Sequence, residues 1–351
     1  MKAKPLAEKE GKFLQCYACN HRCKIQEGQV GLCGVRANEK GKFKLLVYGR
    51  PCAVWVDPIE KKPLFHFLPG TKSFSIGTYG CNFSCSFCQN WDISQAPHEA
   101  KKKDPRKWRE YFEGIVSRCN MLPPEKAVEF AERENCKTIS FTYNEPTIFT
   151  EYALDTMEIA KKKGIKGVYV TNGYETEECW KRIDGYIHAV NIDLKGFTER
   201  FYKELCGATL EPVKKSIKTA KSMGFWTEVT TLIIPDENDS DEELKKIAEF
   251  LYDIDSEIPW HVTAFSPSYK MMNKEKTPPQ SLIRAREIGK EVGLKHIYCG
   301  NLPFSYANYE RTVCQKCGKT LVERAGFSIT ENKITDGKCK FCKAKIKGVW
   351  E

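Results

Sequence analysis

The amino-acid sequence predicts an α/β chain in which parallel strands are covered by helices, a partial or complete (β/α) barrel in preference to an antiparallel sandwich. Two observations carry that prediction. Short apolar or β-branched runs recur through the middle of the chain, and amphipathic helical patterns with their own start and stop residues stand between several of them. A doubly wound sheet is the alternative arrangement of the same elements.

Strands are expected at 73–77, 138–142, 167–171, 189–194, 227–234, 261–265 and 296–299. Their Val, Ile, Thr and aromatic residues suit a pleated, buried surface. Helices are expected at 124–135, 149–163, 211–223, 241–253 and 280–292. Pro124 suits a first helical turn, where a missing N–H costs nothing, and Gly164, Gly224 and Gly293 suit helix ends. Around these elements the chain divides into a cysteine-bearing N-terminal region at 1–70, a core at 71–305 and a small C-terminal module at 306–351. Residues 95–122 interrupt the rhythm with Lys101, Lys102 and Lys103 and the aromatics Trp108, Tyr111 and Phe112. They read as a solvated helical excursion, with a partner-docking surface as the alternative.

A length of 351 residues leaves room for about two domains. With 41% hydrophobic and 29% charged residues, disorder is excluded as the main state. Lys plus Arg number 56 against 46 Asp plus Glu, a net charge of +10 that favours acidic ligands without establishing nucleic-acid binding. The N-terminal sequence lacks the apolar run of a signal peptide, and no later run is long enough to span a bilayer. The expectation is a cytoplasmic protein with no membrane association. Lasting disulfides are uncommon there, so the 17 cysteines are read first as metal or cluster ligands.

Their spacing is uneven. Cys16, Cys19, Cys23 and Cys33 lie early, Cys81, Cys85 and Cys88 follow the first core strand, and Cys314, Cys317, Cys339 and Cys342 lie late. Cys52, Cys119, Cys136, Cys179, Cys206 and Cys299 are scattered and read as small apolar residues. Cys81, Cys85 and Cys88 are spaced by three and then two residues, so one compact loop can set three thiolates around one face of an iron-sulfur cube. The fourth iron then lacks a protein thiolate and is open to an external ligand. Structural zinc would want a fourth local ligand, which is missing; catalytic zinc with an exchangeable water is the competitor.

The stretch from Tyr79 to Trp91, with Phe87 before the last cysteine, resembles the signature of the radical S-adenosylmethionine (radical SAM) superfamily. The resemblance implies a partial (β/α)6-type TIM barrel carrying a 4Fe-4S cluster whose unique iron is chelated by S-adenosylmethionine (SAM). Reduction would cleave the sulfonium bond, and the resulting 5′-deoxyadenosyl radical would abstract hydrogen from a substrate. Thr142-Tyr143-Asn144-Glu145-Pro146 stands where the family usually places a Gly-Gly-Glu-Pro-like segment holding the SAM amine. Glu145 and Pro146 match and the two glycines do not; a strand-end or N-cap carboxylate is the plainer reading of Glu145.

Asn172 follows another strand in a tight polar turn, Thr171-Asn172-Gly173, where barrel enzymes place ligands. In Asn191-Ile192-Asp193-Leu194-Lys195 the polar residues share one strand face. This segment is similar to one in glycyl-radical activating enzymes, where it lines the SAM cavity, which makes Asp193 and Lys195 pocket candidates against an ordinary charge pair. His261 is a pocket candidate against a hydrogen-bonding core histidine. Cys299 reads as inert.

Two tight cysteine pairs make the C-terminal module zinc-ribbon-like, with iron in the same cage as the alternative. The N-terminal four suit either zinc or an auxiliary iron-sulfur cluster, with His21 an additional ligand candidate. A closer resemblance spans nearly the whole chain. It rests on Cys16 to Cys33, Asp57 to Gly70, Cys81 to Trp91, Tyr143 to Thr147 and the last four cysteines, and identifies the radical SAM component of the AmmeMemoRadiSam system, a group akin to pyruvate formate-lyase activating enzymes. It implies a reduced flavodoxin or ferredoxin-like electron donor, a Memo-like or AMMECR-like partner and a substrate that includes proteins among the candidates. Hydrogen abstraction from a protein glycine is the runner-up reaction, and a metal- or RNA-binding adaptor is the non-enzymatic alternative.

Overall fold

Residues 3–351 are described in the computed structural model of the protein. The chain starts with a three-stranded antiparallel sheet, β1 (Ala7–Glu10), β2 (Phe13–Cys16) and β3 (Lys24–Gln26), and the hairpin of β4 (Arg36–Glu39) and β5 (Lys42–Leu45). The central sheet follows: β6 (Ala53–Pro58), β7 (Lys72–Gly77), β8 (Thr138–Phe141), β9 (Lys166–Thr171), β10 (Ile187–Asp193), β11 (Trp226–Ile233), β12 (Trp260–Ala264) and β13 (Ile297–Gly300). These eight are ordered as in the chain, with β7 to β13 parallel and β6 antiparallel to β7. A doubly wound sheet reverses its order partway, so this order selects the partial barrel.

Helices α1 (Trp91–Ser94), α2 (Ala96–Lys103), α3 (Trp108–Ser117) and α4 (Pro124–Arg133) lie between β7 and β8, and α5 (Thr150–Ala160) and α6 (Glu177–Ile183) follow β8 and β9. After β10 come α7 (Glu199–Phe201) and α8 (Leu210–Ser222), then α9 (Asp241–Ile254) after β11 and α10 (Pro279–Val292) after β12. Their apolar faces cover the sheet, for example Ala127, Val128 and Ala131 of α4, all buried. The stretch expected as an excursion is only half solvated. Phe112 and Val116 of α3 are buried, with Phe112 edge-on to Tyr79, while Tyr111 is exposed.

Two of the elements that escaped the sequence pattern did so for clear physical reasons. The edge strand β6 follows Pro51, ends in Pro58 and leaves its Val-Trp-Val exposed, so it has neither alternation nor burial to mark it. Helix α6 is short, and its start is marked only by Thr176, whose hydroxyl accepts the Cys179 N–H at 3.1 Å.

The two end strands, β6 and β13, do not pair with each other among the described residues. The chain between β6 and β7 runs across the interior instead. Asn191 and Glu228 are opposite one another on β10 and β11. Asn191 donates to the Pro63 carbonyl at 2.9 Å, and Glu228 accepts the N–H groups of Phe65 and His66 at 2.9 and 2.8 Å. Buried backbone groups need such partners, and these two side chains supply them.

The N-terminal strands share one apolar core with the barrel: Leu14, Ile25, Val35 and Val47 cluster with Ile148 and Tyr152. Arg36 and Glu151 form a buried ion pair at 2.7 Å across this junction. The last segment contains β14 (Thr312–Val313), β15 (Thr320–Ala325), β16 (Ser328–Asn332), β17 (Ile334–Thr335) and β18 (Lys338–Cys339), with its own small cluster of Cys314, Leu321, Val322, Cys339 and Ile346. It docks through Arg324, which donates to the Phe65 carbonyl at 2.9 Å and lies 3.9 Å above the Phe65 ring. Among the described residues no helix is long and apolar enough to cross a membrane.

Candidate functional site

The cysteine loop leaves β7 through a sharp turn. Gly80 has φ +93°, and a Cβ there would lie 2.6 Å from the Cys33 carbonyl oxygen, so only glycine fits. Asn144, at the end of β8, donates to the Gly80 carbonyl at 2.8 Å and accepts the Thr78 N–H at 3.0 Å. On the far side, Ser84 and Ser86 donate their N–H groups to the carbonyls of Cys206 and Leu205 at 2.9 and 2.8 Å. Gly207 makes this approach feasible, because its Cβ would meet the Ser84 Oγ at 2.3 Å. Fixed at both ends, the loop turns Cys81, Cys85 and Cys88 into one cavity of 480 Å³. The Phe83 N–H points at the Cys81 Sγ (3.4 Å), and the Ser94 hydroxyl lies 3.2 Å from the Cys88 Sγ. Phe87 is buried against Phe201 and also lines the cavity.

The cavity brings together Glu145, Asn172, Asp193 and Lys195 with the three cysteines. Glu145 Oε2 accepts the Asn172 N–H at 2.8 Å; Oε1 accepts from Thr147 N, Thr147 Oγ1 and Thr171 Oγ1 at 3.0, 2.5 and 2.9 Å. It therefore caps the short helical turn at Pro146–Phe149, as the plainer sequence reading has it, and also lines the cavity. Behind it Glu175, unnoticed in the sequence, shares both threonine hydroxyls at 3.0 and 2.5 Å. Burial and the nearby Glu145 charge push Glu175 up to about 8, and burial raises Glu145 as well, so the pair holds a proton more readily than two ordinary carboxylates.

Lys195 Nζ and Asp193 Oδ2 are 2.6 Å apart at the cavity wall. Burial disfavours the ammonium charge, but Asp193 and Cys85 outweigh it and hold Lys195 well above its ordinary value. Opposite stands a second charged group that sequence reasoning missed. Asp57 accepts from Lys62 Nζ at 2.6 Å, Lys61 Nζ at 2.9 Å and the Tyr143 hydroxyl at 2.5 Å; Lys61, Lys62 and Tyr143 all line the cavity. Burial holds Lys62 down to about 8 despite Asp57. Tyr143 has φ +71°, a left-handed conformation that glycine adopts more readily than tyrosine. The signal for this group was the cluster of charges in the otherwise apolar Asp57 to Gly70 stretch.

The structure does not bring His261 to the cavity. It sits at the start of β12, buried, and donates Nε2–H to Glu228 at 2.7 Å with Phe65 edge-on at 4.8 Å. It lies outside the cavity lining and supports the interior segment, because it is at the opposite end of the strand from the cysteine loop. Cys299 is buried, its Sγ 3.5 Å from the Leu282 carbonyl, in agreement with an inert thiol.

In the C-terminal module the sulfurs of Cys314, Cys317, Cys339 and Cys342 all lie within 4.8 Å of one another, with Cys314 to Cys342 at 3.6 Å and Cys317 to Cys339 at 3.8 Å. A tetrahedral ion with metal–sulfur bonds of about 2.3 Å needs sulfurs roughly 3.8 Å apart, so the donor set fits one ion. Cys16, Cys19 and Cys33 are buried and Cys23 is half-buried beneath the cysteine loop, with the Arg36 Nε donating to the Cys16 Sγ at 3.2 Å. His21 points elsewhere, to the Asn82 carbonyl at 2.8 Å.

The chain is similar to several known proteins. An uncharacterized protein of Methanocaldococcus jannaschii is 42% identical over 336 residues, which is 95% of this chain and 95% of that protein. Pyruvate formate-lyase-activating enzyme of Clostridium pasteurianum is 22% identical over 184 residues, 50% of this chain and 67% of that one. A solved domain of pyruvate-formate lyase-activating enzyme from Bacteroides vulgatus matches with TM-score 0.39 and 19% identity, covering 46% of this chain and 98% of that one. Residues 75–251, which run from β7 through the cysteine loop to α9, match the description of the Radical SAM superfamily. With half of its length matched in this way, the chain belongs to the radical SAM superfamily and is a radical SAM enzyme.

Proposed function

We propose that Cys81, Cys85 and Cys88 hold a 4Fe-4S cluster and that the rest of the cavity holds SAM for hydrogen abstraction from a protein substrate. The observation that carries the reading is one cavity walled by three thiols on a single loop and by carboxylate, amide and ammonium groups on the ends of three successive strands. The donor chemistry fits: three sulfurs, an N–H and a hydroxyl aimed at two of them, and a buried Asn82 Nδ2 without a partner beside Cys81. A cluster bound there with SAM supplies one-electron cleavage of the sulfonium and hence a 5′-deoxyadenosyl radical.

The chain's own residues do the binding. Glu145 and Glu175, holding one proton between them, offer a single negative charge to the SAM ammonium. The Asn172 backbone and side chain fix that carboxylate against the cysteine loop. Asp193 and Lys195 form a mixed-charge wall suited to a ribose hydroxyl and a carboxylate. The four C-terminal cysteines hold zinc, and the four N-terminal cysteines hold either zinc or an auxiliary cluster.

The likeness to an activating enzyme supports a protein substrate and an acidic flavodoxin- or ferredoxin-like reductant, for which the net charge of +10 is favourable. A Memo-like or AMMECR-like partner follows from the resemblance of the whole chain to the AmmeMemoRadiSam group. Anaerobic reconstitution tests the proposal. Four iron and four sulfide are expected at the central site, with the spectrum of the reduced protein changing when SAM is added; an unchanged spectrum overturns it.

A further inference from the structure

The central sheet ends in an edge that the sequence leaves uncovered. Strand β6 pairs with β7 on one side, and among the described residues no strand occupies the other. Open edges are usually blunted by charge, because their free N–H and C=O groups template another chain. Here three consecutive apolar residues are exposed instead: Val54 by 37%, Trp55 by 65% and Val56 by 37%.

The register shows which way each faces. Side chains alternate along a strand, so Trp55 shares a face with Asp57. Asp57 binds Lys61, Lys62 and Tyr143, all lining the 480 Å³ cavity, which makes the Trp55 face the cavity face. Val54 faces the other way and lines a groove of 560 Å³ with Tyr79, Met121 and Phe130. The unpaired backbone ladder thus has the 560 Å³ groove on one face and, on the other, Trp55 beside the Asp57 that bonds three residues of the cavity wall.

We propose that an extended polypeptide segment of the substrate adds to the sheet as a strand beside β6, seats alternate side chains against Trp55 and in the Val54 groove, and so enters the cavity. This deepens the reading of the cavity as a radical site and rests on it. A polypeptide is the occupant that matches both features, since it alone brings a ladder of N–H and C=O groups with side chains of period two. No covalent chemistry is required of the edge itself.

The test uses the full-length reconstituted protein, SAM, dithionite and two probes: the soluble protein fraction and the small-molecule fraction of the source organism grown in deuterated medium. The quantity read is the ratio of deuterated to total 5′-deoxyadenosine. Deuterium is expected from the protein fraction. The ratio is expected to fall about tenfold in the Val54→Lys/Val56→Lys double variant and in Trp55→Ala, and to recover in Trp55→Phe. Deuterium from the small-molecule fraction alone overturns the proposal, as does transfer from protein that the edge variants leave unchanged. A dimer in sedimentation that the edge variants disperse assigns the edge to a second copy and also overturns it. Absence of any 5′-deoxyadenosine overturns the reading of the cavity on which the proposal rests, a result separable from the other three.

Discussion

Asn172 donates its side-chain amide to the Oδ1 of Asn82 at 2.7 Å. Both residues are buried, and the bond ties the cysteine loop to the strand end whose backbone N–H binds Glu145. One residue therefore sets the distance between the sulfurs and the carboxylate. Replacing Asn172 with Ala removes the side-chain bond, keeps the backbone bond and leaves Asn82 further unsatisfied. The cost expected is about 1–2 kcal/mol. Iron content should stay at the wild-type level while SAM affinity, followed by equilibrium dialysis, falls roughly tenfold. Equal affinity in the variant contradicts a linking role for Asn172.

Glu145→Gln tests the charge at the amine site. The amide keeps the volume and the acceptor oxygen but loses the charge-assisted bond to an ammonium, which is worth about 1.5–3 kcal/mol. Calorimetry on the reconstituted protein should show SAM binding weakened by about ten- to a hundredfold. A loss of less than about twofold would falsify the assignment of Glu145 to the SAM amine.

The C-terminal module should depend on its ion. Cys314→Ala breaks a four-sulfur cage in a module whose apolar cluster is too small to hold it alone. Metal analysis is expected to lose one equivalent of metal, and hydrogen exchange should rise first across residues 312–350. If exchange there is unaltered, the cage is not what orders the module.

Acid should loosen the contact between this module and the barrel. His66 is buried, its Nδ1 2.9 Å from the Lys347 carbonyl and its Nε2 2.5 Å from the Tyr298 hydroxyl. The neutral ring can satisfy both by donating from Nδ1 and accepting at Nε2. Burial holds His66 down to about 3 and His296, its ring 4.4 Å away, down to about 4. A depressed folded value means the unfolded chain binds more protons between that value and its own ordinary one of about 6.5. Stability is thus complete above pH 6.5 and is lost progressively as pH falls toward 4 and then 3. Thermal melting across this range should show the decline, and His66→Asn should flatten it; parallel curves for the two proteins refute the assignment.

What the sequence made legible was whatever depended on local pattern. The parallel strands announced themselves because their residues are buried on both faces, and the cysteine loop because three ligands lie on one short segment. Period-two alternation put Asp193 and Lys195 on one strand face, and the resemblance of their segment to glycyl-radical activating enzymes made them pocket candidates. Long-range pairings were not legible: Asp57 meets Tyr143 across 86 positions, Glu175 meets Thr147 across 28, and neither spacing has a local signature. His261 misled for the same reason. A histidine on a barrel strand can face either end, and only Glu228, buried opposite the interior segment, decides which. Strand β6 was hidden because its signal is an exposed edge, which no burial pattern records.

SAM cleavage by the reduced protein, compared between wild type and the three single variants Cys81→Ala, Cys85→Ala and Cys88→Ala, tests the central claim most directly. The account predicts electron-dependent release of 5′-deoxyadenosine and methionine by the wild type under anaerobic conditions, and a loss of at least about a hundredfold in every variant together with its central iron. Cleavage that continues at the wild-type rate in any one of the three, or a wild-type protein that takes up iron at this loop and still leaves SAM intact, contradicts it.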